Sequence, residues 1–182
     1  MLGSASAAWA RVEVTAAALL GAAITVLILL NVITRAAGAA LFWVDELAIY
    51  AMAWMTFLGA SAALHYGHNV AVTVVTDALP PAVRRVVAKL VDLIVLGFAL
   101  FMLWFCWRWF APLDLARQGF DVSAFQGATF NFIYDEPTTT LGIKKVWIWS
   151  VMWLFALGAT LHSLANLLGH RPGRLEDAEA SQ

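Results

Sequence analysis

The residues of this chain able to do chemistry are few and widely spaced. Cys106 is the only cysteine, so neither an internal disulfide nor a multi-thiolate metal site can form, and a lone thiol inside an apolar run reads as a packing residue. The histidines are His65, His68, His162 and His170. His162 lies one helical turn before Asn166 on the same face, but as a haem ligand it needs a second axial ligand at matching depth. The other three histidines fall at the ends of apolar runs. A hydrogen bond to a neighbouring helix is therefore the expectation for His162, and no catalytic residue, metal or cofactor is predicted.

The densest polar constellation is Arg35, Trp43, Asp45, Glu46, Tyr50, Trp54 and Gly59. Glu46, Tyr50 and Trp54 are four apart and so stack along one helix face. A carboxylate at a helix N-terminus is favoured by about 0.3–1 kcal/mol, which accounts for Asp45 and Glu46 as capping charges. It leaves the aromatic ladder beneath them unexplained. Elsewhere the polar residues inside apolar runs are Thr25, Asn31, Thr56, Ser61, Thr160, His162, Ser163 and Asn166, types that bond back to their own helix or across to a neighbour.

Four long apolar stretches must carry these groups. A membrane-crossing helix takes about 20 apolar residues, and 182 residues supply four spans with short connections. At 62% hydrophobic residues and a mean hydropathy of +0.79, the chain holds more apolar surface than a soluble core of this size can hide. A net charge of -1, with basic residues scattered, excludes a nucleic-acid partner and leaves the lipid bilayer as the surrounding medium. The expected fold is an all-α integral membrane protein: four transmembrane helices in a compact bundle over residues 1–170, at about 14–34, 47–64, 90–110 and 146–168. Arg11 and Glu13 are read as charges flanking the first helix, whose apolar length exceeds the roughly 7–15 residues of a signal peptide core. Pro80 and Pro81 suit the start of the third. The polar tail, 171–182, has the composition of a disordered segment.

The long aromatic-containing loop between helices 3 and 4 carries Phe120, Phe125, Phe130, Phe132 and Tyr134, which predict that it packs on something. Head groups and a protein partner are equally open as that something. With four spans both termini share a side. Arg11, Arg84, Arg85, Lys89, Arg171 and Arg174 then face Arg35, Arg108, Arg117, Lys144 and Lys145 across the membrane, a six-to-five lean toward cytoplasmic termini. Trp43, Trp104, Trp107, Trp109, Trp147, Trp149 and Trp153 gather toward the face of the first and third loops, where tryptophan prefers the head-group region. That makes this face the candidate contact surface.

What a solute transporter usually needs is missing. Such sites are built from broken helices and intramembrane ionisable groups, whereas here every proline lies outside the apolar runs and no charge sits at the centre of one. The chain is expected to be neither a transporter by itself nor an enzyme.

Arg35 ending helix 1, Trp43 to Glu46 with Tyr50 and Trp54 behind them, and Phe57, Leu58, Gly59 and Ala60 before a Gly-His stretch together resemble the small permease subunit (DctQ-like) of tripartite ATP-independent periplasmic (TRAP) transporters. The resemblance continues through Asp77, Ala78, Leu79 and Pro80 and through Thr140, Leu141, Gly142 and Ile143, covering nearly the whole chain. It implies a small non-catalytic scaffold in the bacterial inner membrane, beside a large membrane permease subunit that imports an organic acid or similar solute on a sodium gradient. A periplasmic substrate-binding protein would deliver the solute. Arg35 with Asp45 or Glu46 is expected to fix the corner between helices 1 and 2, and Tyr50 and Trp54 to touch the large subunit. The chain departs from the family at Asn69 and Thr73, where a His and an Asp are common, and in the length of 114–136. The alternative is a membrane anchor of a respiratory enzyme, holding haem b or quinone among its helices.

Overall fold

The computed structural model describes residues 1–67 and 79–169. The expectations about Asn69, Thr73 and Asp77, and about the polar tail, lie outside those residues. In chain order the elements are α1 (Leu2–Ala36), α2 (Phe42–Tyr66), α3 (Pro81–Phe110), α4 (Pro112–Arg117), α5 (Val122–Thr129), α6 (Lys145–Trp149) and α7 (Val151–Leu167). Among the described residues there are no strands, only an isolated bridge between Pro137 and Lys144.

Four helical spans are long and apolar enough to cross a bilayer: α1, α2, α3 continuing into α4, and α6 with α7. The chain is an all-α, multi-pass membrane protein. The first two helices start earlier than the apolar runs imply, at Leu2 rather than about 14 and at Phe42 rather than about 47, and α3 starts at Pro81, where the prolines were expected to begin it, ahead of its apolar part from about 90. The cause is common to all three, because helix continues through polar residues once an apolar face anchors it. Arg11 and Glu13 thus lie inside α1, not ahead of it.

The local stops follow ordinary backbone chemistry. Pro81 occupies the first turn of α3, where its missing amide hydrogen costs nothing. Gly67 ends α2 in the left-handed conformation that glycine adopts without strain. Asp121 caps α5 by accepting from the amides of Ser123 and Ala124. At Ser150 the last span changes from α6 to α7, and the Ser150 hydroxyl donates to the Trp147 carbonyl at 2.7 Å.

Packing is centred on α7, which touches α1, α2 and α3; α1 packs chiefly on α2, and α3 mainly on α7. α7 is accordingly the most buried span, while α1 and α3 are the least. Along α1, Leu19, Val26, Ile28, Leu29, Val32 and Ile33 are all more than half exposed within the chain. In water each would forfeit about 1.5–3 kcal/mol of burial, so this surface belongs against lipid or another protein.

The loop between α3 and α6 folds back on the chain itself. Phe125 is fully buried and meets Tyr134 edge-on at 5.5 Å, the Tyr134 hydroxyl donates to the Phe110 carbonyl at 2.7 Å, and Asn131 donates to the Trp109 carbonyl. Burial pushes the Tyr134 phenol above its ordinary range. Ion pairs from Lys144 to Asp135 (3.1 Å) and from Lys145 to Glu136 (2.5 Å) close the end of the loop. The Lys144 ammonium holds the Asp135 carboxyl below the usual carboxylate range. Phe120, Phe130 and Phe132 remain exposed.

Candidate functional site: two polar clusters at opposite ends of the bundle

The first cluster joins the turn between α1 and α2 to the loop before α6. Arg35, in the last turn of α1, pairs with Asp45 through Nη2 and Oδ2 at 2.5 Å. Its Nε donates to the Asn31 side-chain carbonyl at 2.8 Å, and the Asn31 amide donates in turn to Asp45. The three side chains therefore close a ring across the corner. Of the two carboxylates open to Arg35 by sequence, the pair forms with Asp45, and Glu46 turns elsewhere.

Glu46 enters a cradle of donors. Its Oε1 accepts from the Thr139 amide at 2.7 Å and the Tyr50 hydroxyl at 3.0 Å. Its Oε2 accepts from the Thr140 amide and hydroxyl, at 2.6 and 2.5 Å, and from the Leu141 amide at 3.1 Å. Successive backbone amides converging on one anion supply charge-assisted bonds, roughly twice as strong as neutral ones. A carboxylate on α2 thereby fastens a loop more than ninety residues away in sequence.

Trp54 donates from Nε1 to the Ile148 carbonyl at 2.8 Å, next to the junction of α6 and α7. The aromatic ladder below Glu46 thus spends its polar atoms inside the chain, Tyr50 on Glu46 and Trp54 on α6. Trp43 is exposed. A Cβ added at Gly59 would meet nothing within 4 Å, so that glycine lies on an open face of α2. Trp109 and Trp149 meet at this same end with ring centres 5.9 Å apart and planes tilted by 53°.

The second cluster lies at the end that carries the termini, and its acid is one that the sequence reading left outside the membrane helix. Glu13 is 1% exposed, and its Oε2 lies 2.9 Å from His162 Nε2. On the other side of the imidazole, His162 Nδ1 lies 2.8 Å from the Ser6 hydroxyl, which is also 2.7 Å from His65 Nδ1. Ser6, His65 and His162 are all buried. Asn166, one turn beyond His162, donates to the Leu64 carbonyl at 2.8 Å. His162 does bond to a neighbouring helix as expected from sequence, and it does so twice.

This cluster rests on Gly158. A Cβ there would collide with Glu13 Oε1, Ser61 Oγ and Trp9 Nε1, so only glycine lets α1 and α2 bring those groups against α7. The same three atoms are buried without a hydrogen-bond partner.

From Glu13 to Asn31 is 18 residues of one helix, about 27 Å at 1.5 Å per residue, and the hydrocarbon of a bilayer is about 30 Å thick. The two clusters therefore bracket an apolar slab of membrane thickness. No group of three or more His, Cys, Asp or Glu able to hold a metal ion occurs among the described residues. The two histidine rings lie 5.3 Å apart with both Nδ1 atoms on one serine, which leaves no gap for a haem between them.

Residues 24–172 match the description of tripartite ATP-independent periplasmic transporters, DctQ component. The chain belongs to the DctQ family. No curated protein and no solved structure matches it. Within this DctQ chain the whole loop-end cluster and both histidines of the other cluster fall inside the matched residues, whereas Ser6, Trp9 and Glu13 precede them. The family resemblance read from the motifs holds, and membership makes the chain a component of a transporter. Ser6, Trp9 and Glu13 are the site residues that sequence reasoning missed. Their signal was present: Ser6, Ala10 and Glu13 recur at helical spacing and are all buried, a small-and-polar face within the segment before the apolar run.

Proposed function

We propose that this chain is the non-catalytic bracing subunit of a TRAP-type importer. It stands beside a large membrane permease that carries an organic acid or similar solute on a sodium gradient, supplied by a periplasmic binding protein. The observation that carries this reading is the contrast between polar groups bonded across helices and open apolar flanks. The polar side chains of the spans that bond across helices bond to one another or to backbone, while α1 and α3 leave long apolar faces uncovered. Such faces suit another protein's flank in lipid, where van der Waals packing holds helices together.

In this reading the chain sits in the bacterial inner membrane with its termini in the cytoplasm, and the tryptophan-rich loop face is outermost. The Arg35–Asn31–Asp45 corner and the Glu46 cradle keep that face in shape. Trp43 and Gly59, which point away from the bundle, supply contact surface, and Tyr50 and Trp54 act on the large subunit by positioning α2 against α6.

Glu46→Ala and Trp54→Ala, each expressed with the large subunit, test the proposal. Uptake in whole cells is expected to fall together with the amount of large subunit that copurifies with the tagged chain. Loss of uptake with equal copurification would falsify the bracing role of these residues.

A further inference from the structure

The second cluster has the connectivity of a proton wire. The Ser6 hydroxyl owns one hydrogen and is flanked by two ring nitrogens, His65 Nδ1 at 2.7 Å and His162 Nδ1 at 2.8 Å. It must donate to one and accept from the other, so the chain of bonds runs in one of two directions. In the first, His65 Nδ1–H donates to Ser6, Ser6 donates to His162 Nδ1, and His162 Nε2–H donates to an ionised Glu13. In the second, His162 Nδ1–H donates to Ser6, and Ser6 donates to His65 Nδ1. His162 then either carries a second proton at Nε2, facing ionised Glu13, or accepts from a protonated Glu13. The two directions differ by a single proton.

We infer that Ser6, Glu13, His65 and His162 form a one-proton binding site in which His65 is the mouth and the Glu13–His162 pair is the store. A proton from water bonds to His65 Nε2. The Nδ1 proton of His65 then moves to the Ser6 oxygen as the Ser6 proton moves to His162 Nδ1. His65 ends neutral, and the Glu13–His162 pair gains the charge and becomes neutral overall. No other reactant is needed.

The surroundings favour a proton over a metal ion. The second Glu13 oxygen, Oε1, is crowded onto Gly158 with the Trp9 indole nitrogen, a donor only, and with the Ser61 hydroxyl. The Trp9 indole N–H can only donate, so it offers a metal ion no ligand. A buried carboxylate without a counter-charge is costly, and the arriving proton removes that cost.

Among the described residues, the titratable and charged groups that the packed elements bring to this end come from all four spans. α1 contributes Glu13, with Arg11 turned to the exposed side; α2 contributes His65, followed by Tyr66; α7 contributes His162. On α3, which packs against α7, the buried acid is Asp92, with Lys89 one turn before it and the exposed Arg84 and Arg85 in the first turns, and the Met1 ammonium precedes α1. Protonation therefore acts on the tie between α1 and the α2–α7 pair, which are the elements that the site joins.

The test uses the full-length chain in lipid nanodiscs with nitrogen-15-labelled histidine. In the unaltered protein the ring nitrogens of His65 and His162 are expected to change together in one pH transition, because one proton rearranges both. In Ser6→Ala the link is cut, and the two rings should titrate separately, their midpoints parting by about one pH unit or more. Independent transitions in the unaltered protein, or a shared one that survives Ser6→Ala, overturn the inference. Glu13→Gln keeps the shape of the acid and can still accept from His162, but it lacks the negative charge that holds the extra proton on the pair. Proton uptake after an acid step, read with an indicator dye, should fall by one per chain in that variant, and uptake equal to that of the unaltered protein also overturns the inference. Because the two variants have independent readouts, failure of one to fold leaves the other to decide.

Discussion

The two ends of this bundle solve the same problem in opposite ways. At the loop end, charges sit in view of solvent: Arg35 and Asp45 are about half exposed and ten residues apart, while Glu46 reaches the amides of Thr139, Thr140 and Leu141. At the end with the termini, Glu13 and His162 are sealed from solvent and lie 149 residues apart in sequence. An exposed pair gains little over its hydrated parts, whereas a buried one is held together because breaking it strands a charge. The loop end thus shapes a surface, and the other end locks three helices.

His162→Ala should break this contrast most sharply. It leaves the buried Glu13 carboxyl without its partner, and a loss of roughly 3 kcal/mol is expected, seen as a lower unfolding temperature in detergent. A variant as stable as the parent would show that Glu13 reaches another donor. Gly158→Ala comes next. Its added methyl group presses on Glu13, Ser61 and Trp9 together, and overpacking of this kind costs about 1–3 kcal/mol. The same measurement should register it, with α1 separating first as judged by hydrogen exchange. Arg35→Ala marks the low end of the scale. Its pair is exposed on both sides, so the unfolding temperature should move by less than about 1 kcal/mol would produce. If Arg35→Ala proves as damaging as His162→Ala, the ordering of the two ends is wrong.

The same contrast explains what could be read in the sequence. Four spans were legible because continuous apolar runs of membrane length have few alternatives. The Arg35–Asp45 corner was legible because both residues sit at helix ends either side of a short turn. Glu46 could be recognised as a charge at the start of a helix, but not its partners, since Thr139, Thr140 and Leu141 meet it only after the last span has docked. Glu13 was hidden for another reason. A charge at the edge of an apolar run is the usual sign of a membrane boundary, but this one faces inward to His162.

The loop before α6 makes a similar point about aromatics. Phe125 and Tyr134 are spent on the chain's own helix ends, so part of the loop packs on the chain itself, which is neither the head groups nor the protein partner expected of it. Phe120, Phe130 and Phe132 are left over. Phe120 and Phe130 hold left-handed backbone (φ 62° and 54°), a conformation uncommon for bulky side chains.

The difference in exposure between the polar clusters has a consequence for anything that stands alongside. The exposed belt at the loop end acts as a depth stop, because sinking the chain would drag Arg35 and Asp45 into oil, whereas the sealed cluster at the other end is indifferent to depth. A neighbour resting on the flanks of α1 and α3 would be held at that same level, as a door is hung by the height of its frame.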